Sequence, residues 1–296
     1  MELSAKEKID FIAKCIFRAT GVFIIAILGG IFLMLLWNTI AFLIEIKPWD
    51  FISGTQWNPS GVPASYGILP LLVSTCLVTF GAMLIAIPIG IGTAAFLSEY
   101  AGKKLRNVLK PTIEMLAAVP SVAIGFLGIV ILSPKLGELS SQPNGLNALN
   151  GAILLAVMAL PTIITVTEDA IHSVPQPYKE ASFGLGANRW QTLRKITIPA
   201  SAPGIIAAVM LGVGRALGET MTVLMATGNA SAFPKGFFHS VRTITATIAI
   251  EMGEVPYQTT HYYSLFAIAT VLFLFTLIVN LIGEHYVNKF KKYQAL

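Results

Sequence analysis

Arg215 and Glu219 are two ionisable residues inside an otherwise apolar run, Ala202–Gly228. Charged side chains are costly within a membrane-spanning stretch, and where they occur they usually face a bundle interior or a cavity. Spaced four residues apart, the two share one face of a helix. Counted from a boundary near Pro199 at about 1.5 Å per residue, Arg215 falls near or just beyond the bilayer middle. Its guanidinium stays charged and offers planar donors suited to phosphate oxygens. Glu219 supplies competing negative charge that keeps anion binding weak enough for release. The same spacing suits an internal ion pair that only holds helices in register, and the chemistry alone leaves both readings open. Gly214 and Gly218 form a small-residue pair that predicts close approach of a neighbouring helix.

These residues need a membrane-spanning frame, and the composition supplies one. Of 296 residues, 55% are hydrophobic and 12% charged, against about 25% charged in soluble domains. The reading is an all-α polytopic membrane protein with six transmembrane helices, roughly Phe17–Ile44, Leu69–Ser98, Thr112–Leu132, Gly151–Ala170, Ala202–Gly228 and Tyr263–Val287. Pro88 predicts a bend in the second span and Pro120 one in the third. A backbone defect is not tolerated against lipid, so the Pro120 bend is expected to face protein or a water-lined path. Trp37, Trp49 and Trp57 suit the outer interface, and Ser4–Arg18 suits either an interfacial helix or a basic tail.

Positive charges gather in alternate segments: Lys6, Lys8, Lys14 and Arg18; Lys103, Lys104, Arg106 and Lys110; Lys179, Arg189, Arg194 and Lys195; Lys289, Lys291 and Lys292. The intervening segments hold only Lys47, Lys135, Lys235 and Arg242. This alternation predicts a multi-pass membrane protein with both termini and the segment after the fourth span in the cytoplasm. No basic stripe with interleaved aromatics points to nucleic acid. Cys15 and Cys76 lie on opposite sides of the first span, which argues against a disulfide. The four histidines, His172, His239, His261 and His285, are scattered, with no metal spacing and no nucleophile–base motif, which argues against a membrane enzyme. Glu114 is expected to snorkel or to pair with Lys110, and Glu168 and Asp169 border the loop that follows. Ser240–Met252 is helix-like but too short to span, so it is expected to be re-entrant or interfacial; Glu251 and Glu254 suit an external partner or a plain loop equally.

That loop, residues 177–199, is polar and basic between two apolar runs. Pro177 suits a first helical turn, Gly186 a left-handed helix end, Asn188 with Gln191 a capping box, and Pro199 a helix stop. Glu180-Ala181-Ser182, then Gly186, then Ile196-Thr197-Ile198-Pro199 resembles the EAA loop of ABC-importer permeases, with Ser182 in place of Ala and Ile198 in place of Leu. The resemblance implies a type I importer permease (MetI-like) fold. It also implies a coupling loop through Glu180, Ala181, Ser182, Gly186, Ile196 and Pro199 that docks on a cytoplasmic ATPase subunit.

Gly214-Arg215-Ala216-Leu217-Gly218-Glu219-Thr220-Met221 resembles the signature of the PstC-type permeases of phosphate ABC importers. Ala117-Ala118-Val119-Pro120-Ser121 and the entry at Pro63–Thr79 carry the same likeness. It implies a first segment over 1–62 and a permease core over 63–296. It implies inorganic phosphate as substrate, with Arg215 and Glu219 on the path. It also implies a PstA-type permease partner, a PstB-type ATPase dimer and a PstS-type phosphate-binding protein. The chain has no Gly-x4-Gly-Lys-Ser/Thr, so no cofactor is expected in it and ATP is expected to be used by the ATPase partner. Competing expectations are an ABC permease for another oxyanion, molybdate or sulfate, and an ion-coupled secondary transporter, which would not explain the EAA loop.

Overall fold

In hydrocarbon a backbone amide finds no water, so each long apolar run closes its own hydrogen bonds as a helix. The computed structural model describes residues 5–140 and 144–294. Its order is α1 (Ala5–Glu45), α2 (Pro48–Ser53), β1 (Trp57–Asn58), β2 (Ser65–Tyr66), α3 (Leu69–Glu99), α4 (Lys103–Leu116), α5 (Ser121–Leu127), α6 (Ser133–Ser140), α7 (Ala148–His172), α8 (Gln176–Gly184), α9 (Arg189–Thr192), α10 (Ile198–Leu217), α11 (Met221–Ala226), α12 (Ile244–Glu251) and α13 (Thr260–Gln294). Among the described residues β1 and β2 form the only sheet, an antiparallel pair with Trp57 opposite Tyr66. Six helical stretches are long and apolar enough to cross a membrane: Ala13–Glu45, Leu69–Glu99, Ser121–Ser140, Ala148–His172, Arg189–Leu217 and Thr260–Phe290.

The α7 helix is the centre of the bundle. Its most apolar window is 61% buried, whereas that of α1 is 0% buried. Both α3 and α10 pack on α7, and small residues allow the approach. A Cβ added at Gly90 of α3 would lie 2.6 Å from Ile163, and one at Gly212 of α10 would lie 2.8 Å from the same side chain. Ile163, fully buried, thus fills the seam between all three helices. At the end remote from the 177–199 loop, Phe42, Phe51, Trp57, Ile68, Ile244 and Leu265 form a second core.

Several expectations change here. Pro120 does not bend a continuous third span; it breaks the chain. The α4 helix ends at Leu116, and Pro120 caps α5 with φ −58° and ψ 134°. Proline lacks the donor that a helix interior needs and disfavours helical backbone before it, so α5 restarts after it. The third span therefore begins at Ser121 and runs through a π turn, Gly128–Leu132, to Ser140, past the expected end at Leu132. Pro88, by contrast, sits within the continuous α3.

Pro199 does not stop a helix either. The chain runs from α9 through a π turn, Leu193–Thr197, into α10, with Pro199 in the first turn of that helix. A π turn widens the backbone ring ahead of the proline and accommodates the missing donor. No separate interfacial helix covers Ser4–Arg18: α1 is unbroken from Ala5, and Ser4 lies outside the described residues. Trp37 and Trp49 are exposed as expected, but Trp57 is 2% exposed and belongs to the core.

Candidate functional site

The fifth span contains the largest departure from the sequence reading. The α10 helix stops at Leu217, Gly218 caps it, and helix resumes only at Met221. Arg215 occupies the last turn of α10, while Glu219 lies in the break, so the two do not share a helix face. Among the described residues they form no ion pair. Both are half-buried. Arg215 Nη1 donates to Thr162 Oγ1 of α7 at 3.3 Å. Glu219 Oε1 instead accepts the Thr222 amide at 3.2 Å, supplying a partner to a donor that a helix start leaves unsatisfied. Glycines at 214 and 218 weaken the helix here, and the Glu219 carboxylate stabilises the restart.

Gly214 and Gly218 do not seat a neighbouring helix tightly. A Cβ at Gly214 would meet only Asn280 Oδ1, at 4.0 Å. They line, with Arg215, Ile248, Phe273 and Asn280, a cleft of about 600 Å³ between α10, α12 and α13. Facing the other side of the break, Thr222 Oγ1 donates to the Ser121 carbonyl at 3.1 Å. The restart after Gly218 and the restart after Pro120 therefore meet.

The 177–199 loop matches its local forecast closely. The α8 helix ends in a Schellman motif: Gly186 has φ +83°, its amide donates to the Phe183 carbonyl at 2.9 Å, and the Ala187 amide donates to the Ser182 carbonyl at 3.1 Å. The Asn188–Gln191 capping box is present. Ser182 and Thr192 hydroxyls bond at 2.9 Å and hold the two short helices together. Glu180, Ala181 and Gly186 are exposed and Ile196 is half-buried. Tyr178, Phe183, Leu185 and Trp190 are exposed apolar residues on the same loop, Leu185 at 91%. The loop is anchored by Lys179, which is 9% exposed and pairs with Glu99 at 2.5 Å.

Beside this loop the charges are paired. Glu168 of α7, 1% exposed, is clamped by Arg106 and by Lys110 of α4, the latter at 2.6 Å, and Lys110 also reaches Asp169 at 2.9 Å. The hydrogen bonds to Glu168 and then Asp169 hold the Lys110 ammonium above its ordinary value of 10.5. Glu114 is exposed and not the partner of Lys110, because the buried carboxylate of Glu168 offers the stronger site. At the remote end Glu251 is likewise internal: it takes the Trp57 indole N–H, pairs with Arg242 at 2.9 Å, and hydrogen-bonds His261 at 2.8 Å.

The model of the family described as binding-protein-dependent transport system inner membrane component matches residues 86–292. The chain belongs to that family. It is 38% identical over 249 residues to a probable ABC transporter permease protein, YqgH, of Bacillus subtilis, covering 82% of this chain and 81% of that one. It is 33% identical to the phosphate transport system permease protein PstC of Mesorhizobium japonicum, covering 93% of this chain and 89% of that one. Among solved structures, a bacterial ABC transporter involved in import of the acidic polysaccharide alginate aligns with a TM-score of 0.63 at 16% identity, covering 95% and 96% of the two chains. The MetNI methionine ABC transporter aligns at a TM-score of 0.58 and 18% identity, over 74% of this chain and 94% of that one. These likenesses show the fold of an importer permease.

A transport component of this kind is a multi-pass membrane protein, as its six spans require. Reading the sequence missed Thr162, the pairing of Lys179 with Glu99 and that of Arg106 with Glu168. Thr162 carried no signal, being one hydroxyl among many. Lys179 and Glu99 are 80 residues apart and only the fold brings them together.

Proposed function

We propose that this chain is the PstC-type permease subunit of an ATP-driven phosphate importer. The observation that carries the reading is Arg215: a half-buried guanidinium at a helix break, beside a cleft, bonded to a hydroxyl and, among the described residues, to no carboxylate. A charge left without a counter-ion inside a membrane bundle is costly and suits a substrate pathway. Its planar donors fit the oxygens of phosphate. The PstC relative, matched over most of both chains, supports the same substrate.

In this reading the exposed apolar face of the 177–199 loop docks on a PstB-type ATPase dimer, which uses the ATP. A PstA-type permease completes the path, and a PstS-type binding protein delivers phosphate to the opposite end. The positive-charge alternation supports a cytoplasmic loop and cytoplasmic termini.

The test is reconstitution of this chain with those three partners in vesicles, with ATP supplied to the face bearing the 177–199 loop. Phosphate moving from the opposite face towards that one, with phosphate-stimulated ATP hydrolysis, is expected. Stimulation by molybdate or sulfate in place of phosphate would reassign the substrate. Transport that persists without the ATPase subunits would replace the reading with a secondary transporter.

A further inference from the structure

The break in the fifth span leaves the Glu219 carbonyl without a helical donor, and the group that satisfies it comes from elsewhere in the chain. Thr245 Oγ1, on α12 and 9% exposed, donates to it at 2.7 Å. The Thr245 hydroxyl has one proton, and a carbonyl can only accept. The contact at 3.1 Å between Thr245 Oγ1 and Thr243 Oγ1 must therefore run from the Thr243 hydroxyl to Thr245. Thr243 in turn caps α12 by accepting the Ala246 amide at 3.3 Å. An ordered chain of donors thus leads from the first turn of α12 to the break, and each bond polarises the next.

The rest of α12 is fixed at both ends. The Ile244 amide donates to Thr75 Oγ1 of α3 at 3.1 Å. At the other end Glu251 is held by Trp57, Arg242 and His261. Ile248, between them, lines the cleft that contains Arg215. An eight-residue helix therefore links the Glu251 cluster to the Glu219 carbonyl at the break.

We propose that Thr245 is a positioning residue: through its bond to the Glu219 carbonyl, α12 acts as a strut that sets the geometry of the break and so the placement of Arg215. The inference rests on the transport reading above for its activity readout, but not for its structural one.

The variants Thr245→Val and Thr245→Ser separate the hydroxyl from the shape of the side chain, and the Thr243 cap is untouched in both. In the reconstituted complex, Thr245→Val is expected to assemble at the wild-type yield and to lower the maximal rate of phosphate uptake about tenfold, the equilibrium worth of one hydrogen bond, with KM unchanged. Amide hydrogen exchange over Glu219–Leu224 should become faster in Thr245→Val and stay as in the wild type in Thr245→Ser, which should also transport normally. Wild-type uptake and exchange in Thr245→Val would overturn the proposal. Equal impairment of both variants would overturn it by assigning the role to the methyl group. Failure of Thr245→Val to assemble would overturn it by reducing the hydroxyl to fold maintenance. If the wild-type complex moves no phosphate, the substrate reading fails, and the exchange measurement still decides the role of Thr245.

Discussion

Glu168 lies on α7 and Glu219 in the break between α10 and α11, which both pack on α7, yet the two regions treat charge in opposite ways. Glu168 is buried at the end near the 177–199 loop and has two cationic partners. Glu219 lies at the break of the fifth span, spends its carboxylate on a backbone amide, and leaves Arg215 to a threonine hydroxyl. A buried charge that is fully paired holds structure; one that is left without a counter-ion, beside a cleft, is available to a ligand. The sequence gives no warning of this contrast: Arg106 and Lys110, which hold Glu168, are 62 and 58 residues away from it, whereas Arg215, close to Glu219 in sequence, bonds elsewhere.

The comparison breaks most decisively at Arg215. Arg215→Gln is expected to assemble normally and to lower phosphate uptake about a hundredfold, as for loss of a strong charge-assisted hydrogen bond. Because Glu219 is not its ion-pair partner, Arg215→Gln strands no buried carboxylate, and adding Glu219→Gln should not restore transport. Uptake and complex yield for the single and double variants check this; full transport by the double variant would make the two a structural pair after all.

A second test probes the loop beside the paired region. Gly186→Val meets no steric neighbour, since nothing lies within 4 Å of an added Cβ, so its cost comes from the positive φ alone. That cost is about 1–2 kcal/mol. Membrane insertion should survive while ATP hydrolysis is uncoupled from transport; a ratio of phosphate moved to ATP hydrolysed equal to that of the wild type would remove the loop from the coupling role.

A third test concerns Glu168 and reads stability alone. Glu168→Gln should loosen α4 and destabilise the protein by about 2 kcal/mol, read as a lower thermal midpoint in detergent. The Lys110 contribution to the clamp should not change between about pH 6 and about pH 9 in the wild type. Lys110 is raised above its ordinary value of 10.5, so its contribution is fully present below that value and is lost only as pH rises through the higher folded one. A midpoint contribution that changes between about pH 6 and about pH 9 would contradict this assignment.

Local chemistry was legible where neighbours in sequence decide the outcome. Gly186, Asn188 and Gln191 form their corner and cap within a few residues, so the local shape of the 177–199 loop could be read from its own residues. The apolar runs likewise determined six helices, because hydrocarbon gives a backbone no other way to satisfy itself. The sequence also placed Arg215 and Glu219 in one stretch of the fifth span. Only the tertiary structure decided that a break separates them, because the donor that holds the Glu219 carbonyl is Thr245, 26 residues further on. It likewise decided that Pro120 ends a helix and that Pro199 does not: a proline forbids one hydrogen bond, but the surrounding packing and the π turn before Pro199 determine whether the helix stops or widens.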